Sequence, residues 1–230
     1  MSREHERGAF RVLMFAAGLF LIPVVVSLLV NLPVLFSRYD RPLPSMLWLL
    51  AGFGFFILLF VLFGAPVRTY ILEHELSHVL VAVLTGVRVK KLSLRRDRAY
   101  VRTERVTPLI ALVPFAMPLY TLALGLAYRL AQRWLDHPAA AAAAYAVIGM
   151  SLSFHLVATA HYLQLEQPDL HRYGVFGSLV LVCLWSILML AVLSALLFEK
   201  VDLAGYLERV FLDGLAMYGS VVRGLAGMLG

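Results

Sequence analysis

The chain has 230 residues and a formal net charge of +6, and 61% of its residues are hydrophobic while only 15% are charged. This balance excludes an ordinary soluble domain and indicates a membrane protein. A single cysteine, Cys183, excludes a disulfide framework within the chain and is expected to be a small packing residue.

Six apolar runs follow one another along the chain, each near or above the ~20 residues that cross the hydrocarbon core of a bilayer. The first lacks a signal-peptidase pattern and is interpreted as an anchor. We predict an all-α polytopic membrane protein of about six transmembrane helices, forming one domain over residues 1–230. The runs are Phe10–Phe36, Met46–Ala65, Val67–Thr85, Pro108–Leu130, Ala139–Leu163 and Val175–Phe198.

The second and third runs are separated by Gly64-Ala65-Pro66, which is typical of a tight turn with proline at the start of the next helix. A single helix from Met46 to Leu84 is the alternative. It would be roughly 58 Å long, nearly twice the hydrocarbon thickness. Two helices are therefore predicted.

The third run contains His74-Glu75-Leu76-Ser77-His78, an H-E-x-x-H pattern, although ionisable groups are expensive inside a bilayer. On a helix, positions i and i+4 lie about 40° apart around the axis, so both imidazoles project from one face. They can hold Zn²⁺, and Glu75 can take a proton from a zinc-bound water. The alternative is a buried polar cluster that only packs or forms hydrogen bonds. Tyr70 and Glu73, which flank the motif, are expected to orient or pack only.

The segment Val87–Arg105 differs from the rest of the chain because it holds eight of the 20 Lys and Arg residues. Its partial alternation of apolar and polar residues predicts a β-hairpin at the membrane surface. The alternative is a solvated basic loop that touches lipid headgroups. Its density of positive charge places it on the cytoplasmic side, which in a six-span topology puts both termini outside. A five-span topology would put the N-terminus inside.

The tail from Lys200 onward mixes apolar and charged residues at helical spacing and predicts an interfacial amphipathic helix. In the fifth run, His155 and His161 lie six positions apart, so they cannot form a same-face pair. Each is expected to form hydrogen bonds between helices, and support of the zinc ligands is the alternative.

A hydrolytic zinc site needs a third protein ligand and one open position. Two aspartates compete for that role. Asp169 follows the fifth run in "LEQPDLHRYG", and Asp213 lies in "VFLDGLAMYG" of the tail. Four further candidates stay open: His155, His161, Glu166 and His171.

These features together resemble the site-2 protease group of intramembrane zinc metalloproteases. The similarity covers roughly residues 66–177, and the chain looks like a small relative without a PDZ-like insertion. The basic segment is similar to the family's membrane-surface hairpin, and "TPLIALVPFAMPLYTL", residues 107–122, looks like its proline-containing helix. The resemblance implies that an aspartate from a later helix completes the site.

That aspartate often lies in an L-D-G motif, which Leu212-Asp213-Gly214 matches literally. We nevertheless favour Asp169, because the third and fifth runs of a six-span topology end on the same side of the membrane. The sixth run ends on the opposite side. The family's motif also follows an apolar span with prolines just ahead of it, as Pro168-Asp169 does.

The predicted function is that of a membrane-embedded zinc metalloendopeptidase that cleaves membrane proteins or peptides in or near the bilayer of a bacterial or archaeal cell. Zn²⁺ is the expected cofactor, and no nucleic-acid partner is expected. The hairpin Val87–Glu104 is the candidate substrate-binding element, by strand addition. The alternative is a non-catalytic zinc-binding membrane scaffold, although a purely structural zinc site is usually closed and often cysteine-rich. A carrier finds little support, because no inverted repeat of broken apolar segments is visible.

Overall fold

The computed structural model describes residues 2–39, 44–94, 99–134, 137–164 and 167–229. These residues form nine α-helices and one two-stranded antiparallel sheet, which agrees with the predicted helical class and the predicted hairpin. The elements are α1 (Ser2–Val30), α2 (Pro44–Phe63), α3 (Val67–Leu84), β1 (Val89–Leu94), β2 (Ala99–Thr103), α4 (Pro108–Leu112), α5 (Leu119–Ala131), α6 (Pro138–Leu163), α7 (Pro168–Tyr173), α8 (Val175–Leu197) and α9 (Leu203–Leu229).

Four helical segments are long and apolar enough to cross a membrane, which is compatible with a multi-pass membrane protein. A bent pair formed by α4 and α5 raises the number to five if it counts as one span. Helix α3 does not qualify, because Arg68, Glu73 and Glu75 put three charges into its 18 residues. The predicted number of six spans therefore stays a prediction. The four segments are Gly8–Phe36, Pro44–Phe63, Pro138–Leu163 and Val175–Leu197.

The contacts within the chain divide it into two compact units, residues 1–40 with 170–230 and residues 41–169. In the first unit, α1 packs against α8 and α9. Asn31 Nδ2 donates to Asp213 Oδ2 over 2.9 Å, and Tyr206 OH donates to the Leu28 carbonyl over 3.0 Å. The helix predicted for the tail is thus present as α9, and its interfacial position stays a prediction, as does the single domain.

In the second unit, α2 packs closely along α6. A Cβ atom on Gly52 would lie 1.8 Å from the Ala146 carbonyl oxygen, and one on Gly149 would lie 1.9 Å from the Leu49 carbonyl oxygen. Small residues of this kind let helix backbones approach each other inside a bilayer, where packing rather than the hydrophobic effect holds helices together.

The turn between α2 and α3 occurs where it is predicted. Helix α2 ends at Phe63, Gly64 takes a φ of +79°, and α3 begins directly after Pro66. A positive φ is easily adopted by glycine, which has no Cβ atom. The prediction of two helices in place of one is confirmed.

The predicted fourth run is not one continuous helix. Helix α4 leads into a short 3₁₀ turn, Val113–Phe115, and the two halves of the pair make an angle of 74°. Pro114 and Pro118 lie at this break, and each removes a backbone donor and resists continuation of a helix. Backbone outside regular helix at membrane depth is tolerated only where protein or a water-filled cavity covers it, and residues 110–118 are all buried.

Strands β1 and β2 form the predicted hairpin after α3, and both strands pack against that helix. The pairing runs from Val89 opposite Thr103 to Leu94 opposite Ala99, with an irregularity between Val89 and Lys91. The basic residues Arg95, Arg96 and Arg98 lie outside the described residues.

Candidate metal centre

Helix α3 places the two histidines of the H-E-x-x-H pattern on one face, four positions apart, as its periodicity requires. Asp169, in the first turn of α7, lies against both of them. Its Oδ2 atom is 4.0 Å from His74 Nε2 and 3.9 Å from His78 Nε2. One ligand atom from each of the three residues lies within 4.8 Å of the others. Residues far apart in sequence thus converge on one point.

These three side chains could hold a metal ion, and their donor atoms are of the kinds that zinc accepts. Imidazole nitrogens and a carboxylate oxygen are ordinary zinc ligands at about 2.0–2.2 Å. Two such ligands on a tetrahedral ion lie about 3.3 Å apart, and the nitrogen–oxygen distances of 4.0 and 3.9 Å exceed this by about 0.6–0.7 Å. The side chains therefore have to move closer together to bind the ion. Three protein ligands leave a fourth position open, as a hydrolytic site requires and a structural site does not.

The ring of His78 is oriented by the backbone of α4. Its Nδ1 atom lies 2.7 Å from the carbonyl oxygen of Ile110, which can only accept, so Nδ1 carries the proton of the neutral ring. The lone pair is then on Nε2, the atom that faces Asp169. Metal-binding histidines are commonly fixed in this way by an acceptor behind the ring.

The ring of His74 is held mainly by aromatic neighbours. Phe115, at the break of the bent pair, meets it edge-on at a centroid distance of 5.1 Å, and Tyr70 lies at 5.8 Å on the same helix. The two histidine rings are themselves 4.8 Å apart and nearly perpendicular. Both histidine side chains are 14% exposed, whereas Asp169 is 33% exposed. The Asp169 side of the cluster is therefore the more open one.

Glu75 lies beside the cluster and is also close to the hairpin. Its carboxylate is close enough to His78 and Asp169 to interact with them electrostatically, and it lies near the backbone of Val101 in β2. The side chain is half-buried. A carboxylate in this position can exchange a proton with a water held at the open position of the site.

One buried pair near the site was predicted in part: the expected hydrogen bond of His155 between helices is confirmed, but its partner Glu73 was not predicted. Glu73 is 2% exposed and His155 is 1% exposed, and Glu73 Oε2 lies 3.2 Å from His155 Nδ1. The backbone N–H of Tyr120 donates to Glu73 Oε1 over 3.1 Å. The sequence does indicate that Glu73 needs a polar partner, because an unpaired glutamate in an apolar segment is energetically costly. It does not indicate which residue that partner is.

The remaining candidate ligands have other contacts. Asp213 accepts the hydrogen bond from Asn31, and His155 binds Glu73. His161 is exposed and contacts the ring of Phe60 at 5.8 Å. The carbonyl of His171 accepts from Arg11, while Glu166 lies outside the described residues. Among the described residues, His74, His78 and Asp169 form the one cluster suited to a metal.

Comparisons of the chain with protein-family models, with curated proteins and with solved structures give no match.

Proposed function

We propose that the protein is a membrane-embedded zinc metalloendopeptidase, in which His74, His78 and Asp169 hold the metal and Glu75 is the catalytic base. The observation that carries this proposal is the convergence of Asp169 on the two histidines, with donor atoms within 4.8 Å of one another beside a glutamate. The resemblance to the site-2 protease group rests on the same residues and supports the same function.

Zinc bound there would acidify a water molecule and polarise the carbonyl of a peptide bond. Glu75 accepts the proton of the attacking water and delivers it to the leaving amine. In H-E-x-x-H motifs the two histidines usually bind the metal and the glutamate acts as the general base. The Ile110 carbonyl keeps His78 in the tautomer that binds metal.

A helical substrate must unwind before its peptide bonds can be attacked, because a helix engages its carbonyls in hydrogen bonds. The hairpin is suited to hold such a segment in extended form, since the edge of a two-stranded sheet offers unpaired backbone groups. The nearness of Val101 in β2 to Glu75 supports this role for the hairpin. We propose that the substrates are membrane proteins or peptides and that the hairpin faces the cytoplasm.

The decisive test compares the wild-type protein with Glu75→Gln, both purified in detergent. The variant keeps the shape of the side chain and removes its basicity, so we expect about one equivalent of zinc in both proteins. Cleavage should fall about 10²–10⁴-fold or more in the variant, the range typical of a lost acid–base group. The assay is mass spectrometry of the products from a panel of single-span peptides with glycine or asparagine in the span.

Glu208→Gln is the matched control, because it removes the same charge from an exposed position of α9. It should behave as wild type. Turnover retained in Glu75→Gln would contradict the mechanism. Stoichiometric zinc without cleavage of any peptide by the wild-type protein would favour the non-catalytic zinc-binding scaffold.

A further inference from the structure

Glu73 joins three helices through one buried carboxylate. The residue belongs to α3 and directly precedes His74. Its Oε1 atom accepts from the backbone of Tyr120 in α5, and its Oε2 atom contacts His155 in α6. Each oxygen therefore has its own partner on a different helix.

A carboxylate at 2% exposure is costly unless its partners are well placed. Stability alone does not explain a buried glutamate, because well-packed apolar residues often stabilise a core as much as a buried charged pair, or more. Fixing one arrangement of neighbouring helices is the best attested use of such buried polar groups.

The contact with Tyr120 provides an acceptor for a backbone N–H group in the first turn of α5. This helix begins after Pro118, which has no side chain able to cap it, and the first backbone N–H groups of any helix lack partners within the helix. Glu73 supplies the acceptor that a capping side chain would otherwise provide.

The other half of the bent pair contacts both candidate zinc ligands. Ile110 in α4 accepts from His78, and Phe115 at the break meets the ring of His74. Helix α3 is thus attached to the broken helix on both sides of its break, by His78 before it and by Glu73 after it.

We propose that Glu73 is a positioning residue: by capping α5 and pairing with His155, it holds the broken helix in the register that orients the imidazoles of His74 and His78. The effect on the metal rests on the proposed function. The attachment of α5 to α3 does not, and it can be measured without metal.

The first measurement is hydrogen exchange of residues 117–122 in metal-free protein. Glu73→Ala removes the acceptor for the Tyr120 N–H, and we expect exchange in this segment to rise about tenfold, as for the loss of a buried hydrogen bond. Glu73→Gln should restore slow exchange, because its amide oxygen can accept from Tyr120 while its NH₂ donates to the ring of His155.

The second measurement is the visible spectrum and the affinity of bound Co²⁺, whose absorption reports ligand geometry. We expect Glu73→Ala to alter the spectrum and to weaken Co²⁺ binding about tenfold, at the low end of losses seen when groups that orient ligands are removed. Glu73→Gln should resemble wild type. Asp213→Ala is the control for general destabilisation, because it removes a comparable contact between helices, and it should leave both measurements unchanged.

If Glu73→Ala does not fold, Glu73→Asp replaces it in both measurements. It keeps the charge but is shorter by one methylene, so it cannot reach both partners and should show the same changes. A wild-type Co²⁺ spectrum and affinity in folded Glu73→Ala or Glu73→Asp would overturn the inference while the proposed function stands. A wild-type protein that binds no Co²⁺ would overturn the proposed function and the positioning of its ligands. The exchange data would then decide the attachment of α5 alone.

Discussion

At the scale of single residues, the identity of the third metal ligand is the sharpest question. Asp169 lies about 4 Å from both imidazoles, and Asp213 in α9 accepts a hydrogen bond from Asn31, the residue that follows α1. One aspartate is therefore placed to bind a metal, and the other is placed to join two helices.

Asp169→Ala should lose zinc and activity together, because two protein ligands seldom hold zinc tightly. Asp213→Ala should keep its zinc and lose about 1–3 kcal/mol of stability, since Asn31 would lose a partly buried partner. Zinc content by mass spectrometry and unfolding in detergent check both variants. Loss of zinc only in Asp213→Ala would mean that the L-D-G match, and not the geometry, identifies the ligand.

The common face of His74 and His78 is predictable from the sequence because it depends on the geometry of one helix. The nearness of Asp169 to the two histidines was predicted from a six-span topology, and that topology itself stays a prediction. The pairing of Glu73 with His155 is not predictable, because the two residues are 82 positions apart and no local rule selects His155 over other polar groups. Sequence reasoning shows that Glu73 needs a partner, and the fold decides which one.

At the scale of elements, the sequence predicts the existence of helices better than their continuity. The turn at Gly64 and the basic hairpin are predicted, because glycine, proline and alternation are local signals. The break of 74° between α4 and α5 is missed, although Pro114 and Pro118 mark it. Hydropathy is uniform across the break, and proline is tolerated in many membrane helices, so the pattern alone does not separate a kink from a break.

The close contact of α2 and α6 makes a prediction at this scale. Gly52→Ala would place a Cβ atom 1.8 Å from the Ala146 carbonyl oxygen, so the helices must separate and we expect a loss of about 2 kcal/mol or more. Gly54→Ala is the matched control on the same helix, because nothing lies within 4 Å of its added Cβ atom. It should leave stability equal or raise it by up to about 1 kcal/mol. Unfolding in mixed micelles titrated with SDS measures both, and equal stability of the two variants would contradict the close packing.

At the scale of the whole molecule, composition predicts a multi-pass membrane protein, and four or five of its helical segments are suited to span a bilayer. It does not predict the division into two compact units, because the sequence shows no long linker that would mark a boundary. The side of the membrane on which the hairpin lies is a prediction from charge alone.

Labelling of single cysteines tests that orientation, in a Cys183→Ala background. Lys91→Cys, in β1, should be protected from an impermeant maleimide added to intact cells, because basic segments stay in the cytoplasm. Trp134→Cys, which replaces a side chain 72% exposed, should be labelled, since six spans place it outside. Labelling of Lys91→Cys but not of Trp134→Cys would reverse the orientation.

The three donor side chains are unequally exposed, and this difference should affect how a metal ion binds and dissociates. Each imidazole is 14% exposed and Asp169 is 33% exposed, so the carboxylate is the most accessible of the three donor groups. A chelator would therefore remove the ion from the Asp169 side, and the exchange of one oxygen ligand for another would begin there while both nitrogens still hold the ion. The rate of zinc dissociation should therefore depend on the length of the side chain at position 169. We expect Asp169→Glu to change this rate more than substitutions that only weaken the aromatic contacts of His74.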